Sequence, residues 1–371
     1  MSSKIILDHE LFISEKQTLL FALKLMDKLG RKLLIVVDQN AKYLTLLSIG
    51  DVQRAIISDV DLNSSIESTV LESKLVASHV DSIQKIKKMM VKIRCEFMPV
   101  IDSEANVVKI YFWTDLFGKL QLPVTNSRVD APVVLMAGGQ GTRLKPISNV
   151  LPKPLIPVGD KTIIESIMSQ FSDIGCKHFY VSVNYKKDLI EHFLNQLVTP
   201  SINIRYVYEE KPLGTAGALA FLKDEINQTF FLSNCDILLQ QDLSQLYDFH
   251  KSNNNEITLV SALKHHRLSY GTITTKEDGL LDSLNEKPEL TFKINAGVYV
   301  LEPHLLKEIP NNTFYHITDL INTVKERGGR VGVFPVSEKS WFDIGEWPEY
   351  IKTVRHFNGD ENFLGLELPH D

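Results

Sequence analysis

Behind the apolar run VVLMA stands Gly138-Gly139-Gln140-Gly141-Thr142-Arg143-Leu144-Lys145-Pro146. Glycines let backbone N–H groups approach phosphate oxygens closely, and Arg143 adds a planar cationic fork for the same oxygens. Neither of the two commonest phosphate loops fits. A P-loop needs Gly-Lys-[Ser/Thr] after its spacer, and the dinucleotide fingerprint needs a third small residue where Leu144 stands. Pro152-Lys153-Pro154-Leu155 follows, with Lys153 held between two prolines that fix its backbone. A lysine pinned in that way points to a side chain placed for a purpose.

The elements that must position these groups are legible from residue 131 onward. VVLMA is followed by a helical pattern at 162–173, FYVSVN by 186–197, INIRYVY by 215–224 and TFFLSN by 242–252. That alternation predicts βαβ units and an α/β, Rossmann-like, mostly parallel sheet. Ligands of such sheets bind beyond the carboxyl ends of the strands. The glycine loop falls there, and so does Asp236, just after the apolar segment Thr229–Ser233.

Upstream, the chain repeats itself. Met26 and Met90, Asp38 and Asp102, and Asp51 and Asp115 are each 64 positions apart. Each copy reads as an amphipathic helix, a buried strand, a turn, a second strand and an Asp that opens another helix. The division is 1–122 for the pair (copies of about 1–62 and 65–122), 123–130 for a Pro-containing linker, and 131–371 for one larger domain. The pair resembles a tandem of CBS domains, an α+β module. In that family a hydroxyl and a carboxylate before the last helix bind the ribose and phosphates of an adenine nucleotide. The first copy keeps them as Ser48 and Asp51; the second keeps only Asp115, with Phe112 where the hydroxyl would be. Helix capping is the other reading of both Asp51 and Asp115, since Asp is a preferred N-cap, and in the second copy it is the favoured one. Paired modules of this kind usually pack through their helices, which points to a homo-oligomer.

With 371 residues, 44% of them hydrophobic, the chain can build several cores. Its 40 Lys+Arg against 46 Asp+Glu give a net charge of −6, which excludes a broad nucleic-acid footprint. Cys95, Cys176 and Cys235 are widely spaced and odd in number, so a disulfide framework is not expected. Asp8, His9, Glu10 and Glu15 interrupt the start, unlike a signal peptide, and runs such as Leu33–Val37 are far shorter than the ~20 residues that span a bilayer. A cytoplasmic protein without membrane association is expected. His265-His266 reads as two loop histidines.

Over roughly 131–357 the chain resembles the sugar-phosphate nucleotidyltransferases. The signature GGxGTRL and PKP is followed in family order by Leu213-Gly214-Thr215-Ala216-Gly217, Asn234-Cys235-Asp236, Glu286-Lys287-Pro288, Asn295-Ala296-Gly297-Val298-Tyr299 and Trp341-Phe342-Asp343-Ile344-Gly345. The resemblance implies transfer of a nucleoside monophosphate from an NTP to a hexose 1-phosphate, with pyrophosphate leaving. Gly138, Gly139, Gly141, Thr142 and Arg143 would hold the triphosphate, Lys153 would neutralise the reaction centre, and Asp236 and Asp343 would carry Mg²⁺. Lys287 would grip the sugar phosphate, Glu286 would accept hydrogen bonds from the sugar hydroxyls, and Asn295 and Gly297 would line the sugar pocket, Gly297 because a side chain would collide with the ring.

Glu209 lies five residues before Gly214, where the family places a base-reading side chain. A carboxylate only accepts hydrogen bonds, and guanine offers two adjacent donors, which favours GTP. Glu210, or a solvated Glu-Glu-Lys turn, is the other reading. With Asp371 shortly after the last motif, the β-helix acyltransferase that some relatives carry is not expected. A paired module ahead of this catalytic type resembles guanylyltransferases that activate glucosamine 1-phosphate for legionaminic acid, a nonulosonic acid. Mannose 1-phosphate is the nearest alternative substrate. A nucleotide sensor built on an inactive transferase scaffold is a third reading.

Overall fold

A computed structural model describes residues 9–69, 76–93, 95–117, 128–199 and 202–358. The chain forms two compact units, Met1–Asn126 and Ser127–Asp371. Part of the expected linker, 123–127, lies outside the described residues. Val129, at its far end, is buried in the second unit and donates its N–H to Ile174 O at 2.9 Å.

In the first unit, β1 (Phe12–Ser14), α1 (Leu19–Leu29), β2 (Leu33–Val37), β3 (Tyr43–Ser48) and α2 (Ile49–Ile57) precede a short α3 (Ile66–Thr69). The second copy supplies β4 (Ala77–Ser78), α4 (Ile83–Ile93), β5 (Phe97–Ile101), β6 (Val107–Phe112) and α5 (Trp113–Phe117). Sequence sets the ends of α1. Thr18 Oγ1 accepts from Phe21 N at 3.1 Å, and Gly30 takes the left-handed conformation that stops the helix. The sheets β1-β2-β3 and β4-β5-β6 have the same order, and β3 and β6 each carry an irregularity at the corresponding point. Lys32 N donates to Glu96 Oε1 at 2.7 Å and Lys42 Nζ to Asn106 Oδ1 at 2.8 Å, each contact joining positions 64 apart. The two copies therefore meet through equivalent residues, as a duplication about a pseudo-twofold axis requires.

The second unit contains β7 (Val133–Met136), β8 (Pro157–Val158), β9 (Lys161–Thr162), α6 (Ile163–Asp173), β10 (His178–Val183), α7 (Lys187–Asn195), β11 (Asn203–Tyr208), β12 (Phe230–Asn234), β13 (Ile237–Leu239) and α8 (Leu243–Ser252). There follow β14 (Ile257–Arg267), β15 (Thr272–Thr275), β16 (Leu281–Asn285), β17 (Glu289–Leu301), α9 (Ile317–Glu326), β18 (Val331–Ser337), β19 (Trp341–Asp343) and α10 (Trp347–Asn358). Seven strands form one sheet in the order β11-β10-β7-β12-β17-β14-β18. Only β17 runs against its neighbours; the others pair in parallel.

Side chains alternate across this sheet with period two. Val133, Leu135 and Phe231 enter one core, whereas Val134, Phe230 and Leu232 enter the other. Phe231 packs its ring 5.1 Å from Phe171 of α6, whose start is fixed by a capping box between Thr162 and Glu165. The chain passes from β7 to β10 on one side and later to β12 on the other, so a crevice opens at the carboxyl end of β7.

Two expectations need correction. The helical pattern at 215–224 folds as a 3-10 helix, Gly217–Leu222. Gly214 (φ +80°) and Gly217 pack directly against the backbone of Tyr315 and Thr313, which leaves no regular α-helical path there. His265 and His266 belong to β14 and pair with Thr291 and Leu290 of β17, so neither is a loop residue.

Candidate active site

The turns at the carboxyl ends of β7 and β12 line a cavity of about 440 Å³. Its wall holds Gly138, Gly139, Gly141, Thr142, Arg143, Lys153, Glu209, Gly214 and Asp236, all singled out from sequence. A Cβ on Gly139 would meet no atom of the chain within 4 Å. Nothing internal requires glycine there, and a backbone without a side chain lets a ligand in the cavity approach closely.

Lys153 is buried and forms an ion pair with Asp236 Oδ2. The other carboxylate oxygen, Asp236 Oδ1, is buried without a hydrogen-bond partner. β13 and β19 pair antiparallel with Ile237 opposite Asp343, and Ile344 N donates to Asp236 O at 2.8 Å, which brings Asp343 near enough to Asp236 for the two charges to interact. Burial, and then repulsion from Asp236, holds the Asp343 carboxyl above its ordinary pKa. An orphaned carboxylate oxygen beside a second, destabilised carboxylate is a donor set suited to a hard divalent cation. Gly345 completes the corner: its N–H donates to Asp343 Oδ1 at 2.7 Å, and a Cβ there would lie 3.4 Å from Lys153 Nζ.

Glu209 is buried, while Glu210 is exposed and outside the cavity lining. Ser182 Oγ donates to Glu209 Oε1, Leu213 N donates to Oε2 at 3.0 Å, and Asn184 Nδ2 donates to Glu209 O at 2.6 Å. The side chain therefore anchors the Leu213–Gly214 turn to β10. A carboxylate has about four acceptor positions, so these bonds leave capacity for a ligand.

The later motifs are less closely gathered. Glu286 and Lys287 are exposed in the turn after β16, with Lys287 at φ +46°, and neither lines the cavity. Asn295 Oδ1 accepts from Gly297 N at 3.1 Å. Gly297 has a reason to be glycine within the chain itself: φ is +75°, and a Cβ would lie 2.8 Å from Asn234 Nδ2, a cavity residue. The expected clash with a sugar ring is not needed to explain it.

Phe314 and His316 also line the cavity, with rings 4.8 Å apart, and sequence reading passed them over. They arrive through backbone pairing: Tyr315 N donates to Leu213 O at 2.9 Å, and Tyr315 O accepts from Ala216 and Gly217 N. Segments a hundred residues apart leave no local signal for that contact. Cys235 donates Sγ–H to Met136 O at 2.7 Å, and burial pushes its thiol up to about 12, so it is an inert filler. Elsewhere, Glu256, His304 and Glu308 bring ligand atoms within 4.8 Å of one another. Arg327 bonds both carboxylates, so a guanidinium already supplies the cation.

A glycine-rich turn beside a Lys–Asp pair and a second carboxylate, on this sheet, defines a nucleotidyl-transfer scaffold, and residues 132–358 match the model of the Nucleotidyl transferase family. The chain belongs to that family. It is 30% identical over 229 residues to the mannose-1-phosphate guanylyltransferase of Mycobacterium tuberculosis, covering 61% of this chain and 63% of that protein. With the mannose-1-phosphate guanylyltransferase 1 of Arabidopsis thaliana it shares 30% identity over 230 residues, covering 60% and 63%. The chain thus spans about 63% of the length of these curated relatives. The crystal structure of HddC from Yersinia pseudotuberculosis is 26% identical, with a TM-score of 0.48 over 61% of this chain and 99% of that one. Among the described residues no helix is long and apolar enough to cross a membrane.

Proposed function

We propose that the chain is a sugar-1-phosphate guanylyltransferase, transferring GMP from GTP to a hexose 1-phosphate and releasing pyrophosphate. The observation that carries this reading is the convergence of Arg143, Lys153 and Asp236 on one cavity beside Asp343. An in-line attack on the α-phosphorus needs no covalent nucleophile; it needs crowded negative charge to be held and neutralised. Gly138, Gly139, Gly141 and Thr142 present the turn to the triphosphate, and Arg143 grips the end that leaves as pyrophosphate. Lys153 faces the reacting phosphate from a buried position. Mg²⁺ bound by Asp236 and Asp343 would polarise phosphate oxygens. Glu209, an acceptor at the cavity wall, matches the adjacent N1–H and 2-amino donors of guanine.

Two sugars have separate support. The relatives named mannose-1-phosphate guanylyltransferase favour mannose 1-phosphate. The duplicated first unit, read as a CBS pair, favours glucosamine 1-phosphate and a role in legionaminic acid synthesis. In either case Glu286, Lys287, Asn295 and Gly297 form the sugar-phosphate side, with Lys287 brought in by the β15–β16 ribbon. Ser48 and Asp51 would hold an adenine nucleotide in the first unit. A sensor with an inactive scaffold has no need for the charged set to be complete.

Measuring pyrophosphate release from each NTP against glucose, mannose and glucosamine 1-phosphates with Mg²⁺ tests the reading. GTP turnover with mannose or glucosamine 1-phosphate is expected. Absence of turnover with every pair would overturn it, and preference for UTP or dTTP would remove Glu209 from base selection.

A further inference from the structure

Arg143 Nη1 donates to Glu346 Oε1 at 2.6 Å across 203 positions of sequence. The pair is 63% and 52% exposed, and an ion pair so open to water adds little to stability. What it does is geometric. Arg143 and Gly345 line the cavity, whereas Glu346 stands outside the lining. A Cβ on Gly345 would lie 3.5 Å from Arg143 Nη2, so that nitrogen lies beside a cavity residue while Nη1 bonds Glu346. The fork is thus divided between an internal carboxylate and the site.

The carboxylate is itself held in place. Glu346 O accepts from Tyr350 N at 2.9 Å, which puts Glu346 at the start of α10, where negative charge is favoured. Its neighbour Trp347 donates Nε1–H to Lys145 O at 2.9 Å, two residues beyond Arg143. Glu346 and the first residue of α10 therefore both hold the glycine-rich loop. The same segment carries Asp343, so the loop that meets phosphate and the strand that carries the second carboxylate are tied together.

We infer that Glu346 is a positioning residue, which orders the Arg143 guanidinium for the triphosphate before it binds. This rests on the reading of Arg143 as a phosphate ligand. A long exposed arginine left to itself loses rotamer freedom on binding; Glu346 restricts that freedom beforehand. Ordering one such side chain corresponds to about 3- to 10-fold in apparent affinity.

The test is steady-state kinetics of the full chain with GTP, Mg²⁺ and the hexose 1-phosphate it turns over, on Glu346→Ala, Glu346→Gln, Arg143→Ala and the Arg143→Ala/Glu346→Ala pair. Glu346→Ala is expected to raise the KM for GTP by about 3- to 10-fold, with kcat and the KM for the sugar phosphate little changed. Glu346→Gln, which can still accept from Arg143, should fall between. In the Arg143→Ala background the Glu346 change should have no further effect. An unchanged or lowered KM in Glu346→Ala, or the same rise in both backgrounds, overturns the inference while Arg143 stands. If Arg143→Ala is itself without effect, the phosphate reading of Arg143 fails and the inference with it. Melting temperatures separate these results from loss of fold.

Discussion

Replacing Asp236 by Asn keeps the side chain's shape and removes the charge that Lys153 and a cation would share. Asp343 remains close enough to Lys153 to be influenced by it, so the ammonium is not left without a counter-charge. Asp236→Asn should lower kcat by roughly 10³-fold with circular dichroism and melting temperature near the parent's; a near-normal rate would remove Asp236 from the metal site. At this scale the short motifs made Arg143, Lys153 and Asp236 candidates, and the three line one cavity. Glu209 was legible as a candidate, but its bonds to Ser182 and Leu213 were not. Phe314 and His316 had no local pattern to betray them.

Glycines separate two kinds of element. Gly139 leaves open space toward the cavity, whereas Gly297 has φ +75° and Asn234 against it. Gly139→Ala is therefore expected to leave the melting temperature alone and raise the KM for GTP. Gly297→Ala should lower stability by roughly 1–3 kcal/mol, from a left-handed alanine and displacement of Asn234. Denaturant unfolding and kinetics on both variants check the contrast; equal effects on either measure would refute it. The same scale explains the failed helix at 215–224. Its composition suits a helix, but Gly214 and Gly217 press against Tyr315 and Thr313, and that packing overrides propensity. In the first unit, Ser48 and Asp51 form a capping box at the start of α2, with Ser48 N donating to Asp51 Oδ2 at 2.7 Å and Asp51 paired with Arg54. Asp115 Oδ2 likewise accepts from Phe112 N at 3.0 Å in the second copy. Both assigned uses thus start from the same geometry. Adding AMP to the full chain is expected to raise the melting transition of the first unit; no shift leaves capping as the sole role.

Across the second unit, stability should depend on pH through His250. Its ring is fully buried, with Nδ1 2.9 Å from Thr258 Oγ1 and Nε2 3.3 Å from Glu302 Oε1. Burial holds its pKa below the ordinary 6.5, although Glu302 opposes the shift. The unfolded chain then takes up a proton that the folded chain refuses. This contribution is intact above the ordinary histidine value and is lost as pH falls below it, levelling off once the folded form protonates too. The loss is at most one proton's worth, about 1.4 kcal/mol per pH unit. His250→Gln should flatten the stability profile between pH 7 and roughly 5; an unchanged slope would refute the assignment.

Sequence by itself determined the alternation that builds the α/β sheet, the 64-residue duplication ahead of it, and the short motifs at the strand ends. Those features are local, or repeat at a fixed interval, so residue type and spacing suffice. Only the tertiary structure decided which motifs share a cavity, that Lys287 and Glu286 stand apart from it, and that Glu346 holds Arg143. Such pairings depend on the order in which strands lie side by side. A contact spanning 203 positions is set by that order and by packing on both faces of the sheet, neither of which any stretch of sequence contains alone.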